Sequence, residues 1–383
     1  MNKLWRFTDK FGSFESKDAE KIRTLYFPLC NERLMSSVSP DLHGDIKAAQ
    51  DAFLLTPVSR QDLIDSRASR NFWIKIGDCP RRGLSPIFWS ATGVSKNLKQ
   101  IEEDKFHLEA GLLWHKISRE NKNIGLKAEV LSFVPASNEP IEIMQVTLTN
   151  VSSRKINFVP TAAIPIYGRA ANNLRDHRQV TSLLQRITLH KFGLIVKPTL
   201  VFDESGHKPN KTIYFVLGCD QNTNPPEYLY PTQEMFCGEG GDLEAPEVIL
   251  KNLLPDKRHI QGKEAMGALR FKSITLRPQE EHSYIILMGI VKDKRQIERI
   301  INKFNSLNKI KRSLDQTKRF WINKSRQFSL STGKPDTFAP PSAGLSINPR
   351  ESRRVDFANW FRWVSIQPAL RRIFGCSFLP DFD

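Results

Sequence analysis

From about Phe72 to Val291 apolar and polar residues alternate over short runs broken by turn residues, a period-two pattern that suits strands with one face turned to a core. Ile141, Ile143, Val146 and Leu148 alternate with Glu142, Gln145, Thr147 and Thr149, then meet a polar turn at Asn150-Val151-Ser152-Ser153-Arg154, after which Ile156 and Phe158 resume the pattern. The spacing predicts a β-hairpin with a longer loop, its core formed by Ile143, Val146, Leu148, Ile156 and Phe158. Further short strands are expected at 106–117, 124–134, 192–202, 213–219, 269–276 and 283–291. So many strands with turns between them imply a mainly β chain whose antiparallel sheets pack as a sandwich.

The period changes after Val291. Ile297, Ile300, Ile301, Phe304, Leu307, Ile310, Leu314 and Trp321 fall mainly at steps of three and four, the apolar face of a helix that should end near Ser329, where Ser331-Thr332-Gly333-Lys334-Pro335 supplies stop signals. Residues 337–355 combine a Pro-Pro pair, Ser and Arg without periodicity, as a flexible loop would. Helical spacing returns at Trp360, Trp363, Ile366, Leu370 and Phe374, with Pro368 as a kink, and the chain stops right after this apolar stretch, as a truncated element would. The expected division is a β domain over 1–290, an amphipathic helix over 291–330, and a loosely packed remainder over 331–383.

Charge narrows the function classes. The net charge of +16 raises nucleic acid as a partner, but residues 291–383 carry 19 Lys and Arg against 8 Asp and Glu, while the first 290 residues are close to balance. Lys and Arg occupying the outer faces of an amphipathic helix read first as a solvated surface, and no aromatic-basic interleaving or nucleic-acid motif accompanies them. A partner with acidic surface is the other reading. The N-terminus holds no apolar run of signal-peptide length, and no segment approaches the ~20 residues of a membrane span, so the expected location is the cytoplasm, away from membranes. The five cysteines (Cys30, Cys79, Cys219, Cys237, Cys376) form no C-x-x-C pair and read as buried thiols.

Two segments concentrate polar chemistry. The denser is 165–178, with Tyr167, Arg169, Asn173, Arg175, Asp176, His177 and Arg178 between two strand patterns. Such side chains offer the paired donors and acceptors that sugar hydroxyls need, and an aromatic ring can stack on a pyranose; a surface loop tied by Arg–Asp pairs explains the same residues equally well. The second, Tyr26–Asn31 with Ser36–Lys47, is mostly accounted for by turn chemistry. His43, Asp176 and His177 match no metal-ligand spacing, so no metal is expected. Ser36, Ser39 and Ser182 lie in no G-x-S-x-G turn, and neither a P-loop nor a dinucleotide fingerprint occurs.

Four segments, Leu34–Asp45, Pro86–Gly93, Tyr167–Arg169 with Arg175–Leu184, and Trp363–Pro380, together resemble glycoside hydrolase family 94, in particular its 1,2-β-oligoglucan phosphorylases, relatives of cellobiose phosphorylase. The likeness runs in order over nearly the whole chain. It implies an N-terminal β-supersandwich, linker helices and the start of an (α/α)6 barrel, with residues 337–355 as an addition between helices. It also implies a reaction in which inorganic phosphate attacks the anomeric carbon with inversion, while one aspartic acid in the barrel protonates the leaving oxygen, so that no second carboxylate is needed to activate water. No cofactor is implied beyond phosphate as co-substrate.

On this reading the chain is a non-catalytic N-terminal portion, with no catalytic residue of its own, and the loop 167–178 is where sugar would be touched. The expected partners are a β-glucan oligosaccharide and a catalytic barrel, carried downstream or on a separate polypeptide, with a homodimer left open. A free-standing sugar-binding sandwich is the alternative from another class, and a basic nucleic-acid binder the third.

Overall fold

The computed structural model describes residues 5–17, 25–58, 66–77, 87–97, 102–201, 206 and 208–328. Expectations for 337–355, the helical spacing at 360–374, Cys79 and Cys376 lie outside the described residues.

A ten-stranded antiparallel sheet forms the body. Its order is Arg6–Phe7, Phe14–Ser16, Lys105–Gly111, Trp114–Asn121, Leu126–Phe133, Ile141–Asn150, Glu281–Val291, Ile213–Asp220, Gly193–Pro198 and Gln185–His190. A second sheet runs Tyr228–Thr232, Ala265–Arg270, Ile156–Ile166, Asn71–Ile76 and Ile87–Ser90, with Ile274–Leu276 beside the start of its central strand. A four-stranded sheet comprises Phe27–Cys30, Met35–Val38, Ile46–Ala49 and Ala52–Phe53. The largest core lies between these sheets: Val130, Val146, Leu148, Val216 and Ile286 meet Phe72, Ile74, Phe158 and Ile164 of the second sheet and Leu29, Val38 and Ile46 of the third. The chain is thus the mainly β, antiparallel sandwich that the alternation predicts.

The large sheet is covered on its other face as well. Phe133, Ile141, Ile143, Phe215, Leu217, Ile285 and Leu287 pack there against Ile297, Ile300, Ile301, Phe304 and Ile310 from the helical segment. Burial on both faces explains why Tyr284–Val291 is a near-continuous apolar run and does not alternate. The outer face of the second sheet is closed by two short helices, Gln233–Cys237 and Glu247–Lys251, through Phe236, Val248 and Ile249 on Trp73, Tyr230 and Met266.

Two expectations are corrected. The hairpin is not formed: Ile141–Asn150 is paired on both sides within the large sheet, by Leu126–Phe133 and Glu281–Val291, so Ile156–Ile166 finds no open edge there and pairs in the second sheet. Asn150 Nδ2 donates to Arg154 O (2.7 Å) and Leu276 O (3.0 Å), and its Oδ1 accepts from Ser152 N, so the polar segment carries the chain from one sheet to the other.

The expected single linker helix is two, Arg295–Phe304 and Leu307–Phe328. The break at 305–306 is held by Thr223 Oγ1 donating to Asn305 O and by Lys309 Nζ donating to Asn302 O (2.7 Å) and Asn305 Oδ1 (2.9 Å). On the longer helix Lys318 places its ammonium 3.8 Å from the Trp114 ring centroid, and Thr317 Oγ1 accepts from Ala136 N. Farther along, Trp321 packs with Cys30, Met35, Leu112 and Leu113, next to the small sheet. Residues 26–47, read as turn chemistry, also contain three short strands; four-residue segments rich in Ser and Pro carry too little periodicity to show themselves.

Candidate functional site

The segment 167–184 joins the last residue of Ile156–Ile166 to the edge strand Gln185–His190, so it passes from one sheet to the other. Its first residues are laid down as backbone pairs: Tyr167 N donates to Leu54 O (2.6 Å), Phe53 N to Arg169 O (2.9 Å), and Ala171 N to Gln50 O (2.9 Å). These bonds bring the loop against the end of the four-stranded sheet. Gln185 closes the other end, its Nε2 donating to Tyr167 O (2.8 Å) and its Oε1 accepting from Ala265 N (3.0 Å).

Glu264 sits at the centre. One of its carboxylate oxygens accepts from Arg169 and the other from Arg178 (2.9 Å), and Arg169 also reaches Arg178 O. The Arg169 guanidinium lies 5.2 Å from the Tyr167 ring, and the Tyr167 hydroxyl donates to Ala170 O; burial first of all pushes that phenol up to about 12, so it stays a donor at neutral pH. Asn173 Nδ2 donates to Asp176 Oδ2 (2.8 Å).

The candidate residues therefore divide. Tyr167, Arg169 and Asn173 are buried, at 3, 7 and 5% exposure, and hold the loop's shape. Arg175 and His177 are exposed, and Asp176 and Arg178 half-buried, so these four form the face a ligand could meet. The cleft behind them, lined by Asp51, Gly168, Arg169, Asn173, Gln185 and Asn210, measures about 10 Å³, room for about one water and not for a pyranose. Sugar contact at this loop would be made on its outer face. Glu264 and Gln185, the residues that organise it, lie outside the polar cluster; no sequence signal marks either, because their partners are 86–95 and 18–80 positions away.

The second polar segment forms a buried layer between sheets. Arg70 donates from Nε and Nη2 to the two oxygens of Glu142 (2.7 and 2.8 Å), from Nη2 to Ser36 Oγ (2.8 Å), and from Nη1 to Leu42 O and Gly44 O, so every N–H of its fork is used. Both side chains of this pair are fully buried. Gly44, at φ +136°, lets the loop close: a Cβ there would stand 1.9 Å from Ser37 O. Asp45 accepts from Ser37 Oγ and burial raises its carboxyl above the ordinary range, while His43 Nδ1 lies 3.0 Å from Asp41 Oδ1. Beside them His115, fully buried under the Phe27 ring, is lowered to about 3, by burial first and then by the charge of Arg70. Apart from the half-buried Asp41 the groups of this layer are buried, so it reads as a stitch between sheets. Among the described residues no three His, Cys, Asp or Glu gather as metal ligands, and no helix is long and apolar enough to cross a membrane.

The family model for the glycosyl hydrolase 94 supersandwich domain matches residues 31–307. The match takes in the loop, the Arg70–Glu142 pair, the second sheet, eight of the ten strands of the large sheet and the first linker helix, and the chain belongs to glycoside hydrolase family 94. No curated protein matches the chain. Among solved structures, a bacterial glucoamylase complexed with acarbose is similar at 8% identity and a TM-score of 0.42 over 78% of this chain and 37% of its own. A protein assigned as a kojibiose phosphorylase, from the human microbiome, is similar at 11% identity and 0.38 over 95% and 39%. A GalM/aldose epimerase homologue from C. elegans is similar at 11% identity and 0.40 over 70% and 98%. The chain spans less than two fifths of the length of the first three such structures.

Proposed function

We propose that this chain is the non-catalytic sandwich and linker portion of an inverting β-glucan phosphorylase acting in the cytoplasm, with 1,2-β-oligoglucans as the glucan. The observation that carries the reading is the supersandwich match over residues 31–307, joined by the four segments that resemble 1,2-β-oligoglucan phosphorylases. In the parent reaction phosphate takes the glucosyl unit to give glucose 1-phosphate, and a single carboxylic acid on the barrel protonates the departing oxygen. The sandwich would present Arg175, Asp176, His177 and Arg178 to the glucan, guanidinium and imidazole nitrogens donating to hydroxyls and Asp176 accepting. It would also seat the barrel, whether on the same or a separate polypeptide, in a monomer or a homodimer.

The acids near the loop support a binding role over a catalytic one. Glu264 has both oxygens bonded to guanidinium nitrogens and so presents no unengaged carboxyl oxygen to a glycosidic oxygen, and Asp176 accepts from Asn173 through one of its two oxygens. Without such a donor the leaving alkoxide is poor, and about 10² to 10⁴-fold of rate is forgone. The test is phosphate release or consumption on β-1,2-glucan oligomers with this chain alone, then with a separately expressed barrel from a close relative. No turnover is expected from the chain alone, and turnover there overturns the non-catalytic assignment. In the mixture, Arg175→Ala and His177→Ala should weaken glucan use about tenfold without changing folding, since both are exposed. Unchanged kinetics would remove the loop from the glucan path.

A further inference from the structure

A cavity lies away from the loop, where residues 136–137 face the two linker helices. It measures about 340 Å³, at the lower end of the range for small-molecule sites. Lys303 and Phe304 of the first helix and Lys309, Arg312, Gln316 and Phe320 of the second line it, over a floor that includes the buried Ser313 and Thr317.

Its electrostatics are one-sided. Three cations enter the cavity, and the carboxylate that meets them is Glu139, which accepts from Lys303 Nζ at 2.6 Å. Lys309 spends two donors on Asn302 O and Asn305 Oδ1, which also shields the carbonyl end of the first helix from an incoming anion, and retains a third. Arg312 is exposed and makes no ion pair among the described residues, leaving a planar fork of five donors. Phe320 also lines it, 38% exposed, its ring set edge-on to Trp321 at 5.2 Å with Lys324 Nζ 6.0 Å from its centroid, and buried Phe304 adds a second apolar ring. Gln316 is exposed at the rim and offers an amide to hydroxyls.

We propose that this cavity is a second ligand site, one that takes the phosphate monoester of a single sugar. The phosphate oxygens meet Arg312 and Lys309, with Lys303 contributing charge, because a guanidinium fork and a compact ammonium are the pair that a tetrahedral dianion satisfies best. The apolar face of the sugar ring lies on Phe320 and its hydroxyls reach Gln316. The volume admits one such ring. A ligand here bridges both helices and the 134–140 segment, so its binding stiffens the linker where it leaves the sandwich, independently of how the glucan loop is used.

Glucose 6-phosphate serves as the probe, titrated by calorimetry into the full chain at low salt, with inorganic phosphate and glucose as parallel titrants. Saturable binding of the ester is expected, tighter than either fragment, weakened about tenfold or more by Arg312→Ala and by Lys309→Ala, and left unchanged by Arg299→Ala, an exposed cation that does not line the cavity. The ester should also raise the melting temperature of the wild type and not of Arg312→Ala. Absence of saturation by about 10 mM, equal binding of inorganic phosphate and the ester, or equal affinity in the Arg312→Ala and Arg299→Ala variants each overturns the assignment.

Discussion

Arg70 and Glu142 form a pair whose two side chains have no access to solvent, 72 positions apart in the chain. Removing one partner leaves the other charge buried and uncompensated, so Glu142→Ala should cost about 3–5 kcal/mol in urea unfolding, whereas a paired Arg70→Met, Glu142→Leu change should cost far less. If the single change costs under about 1 kcal/mol, water reaches the pair and the layer is not closed. His115 supplies a second test at this scale. Held neutral down to about 3 in the folded chain, it takes up a proton near 6.5 once unfolded, so the unfolded state binds more protons between those values. Its contribution is complete above pH 6.5 and is lost as pH falls from there toward 3. Between pH 7 and 4.5 the wild type should lose about 2–3 kcal/mol more stability than His115→Leu, measured by urea denaturation at both values; equal losses would show that His115 is solvated or charged. Nothing in the residues around His115 or Glu142 marks them as buried: Glu142 sits where the alternation of Ile141 and Ile143 predicts a solvent face, and it is covered only because the small sheet lies on that side.

At the scale of elements, the edge strand Gln185–His190 is closed by a side chain. Gln261 accepts from Ile187 N and donates to Ile187 O, both at 2.8 Å, which is the pairing a neighbouring strand would make. Gln261→Ala should cost about 1–2 kcal/mol and promote self-association of the chain through that edge, read by sedimentation against the wild type. Association unchanged by the substitution would mean that Leu183 and Leu189, exposed nearby, do not offer a usable edge. The sheet each strand joins was less legible than the strands themselves. The alternation located Ile141–Asn150 and Ile156–Ile166 and placed Ile143, Val146, Leu148, Ile156 and Phe158 in the interior, but predicted that the two segments pair, and they lie in different sheets. A polar turn is compatible with a hairpin and with a crossing alike; the choice falls to the pairing surfaces already taken by Leu126–Phe133 and Glu281–Val291.

Across the whole molecule the two faces of the ten-stranded sheet serve two cores, one shared with the other sheets and one with the linker helices. Val146, with no solvent access at the centre of the first, is paired to Val130 and Tyr284 in register, so Val146→Asp places a charge without a partner there and should abolish soluble folding, at a cost of several kcal/mol that rivals total stability. Expression in the soluble fraction with unchanged melting would refute that core. Everything that depends on near neighbours is written in the residue order alone: the strand period, the three- and four-residue steps from Ile297 to Trp321, the turn at 150–154, and the family resemblance carried by contiguous segments. Long-range packing sets which strands share a sheet, that the linker helix breaks at 305–306, and that Arg169 and Arg178 converge on Glu264, with Tyr167 and Asn173 turned inward and Arg175 and His177 outward. The reason is physical: periodicity records which side of an element is buried, while the identity of what buries it depends on contacts between residues tens to hundreds of positions apart, which no local pattern encodes.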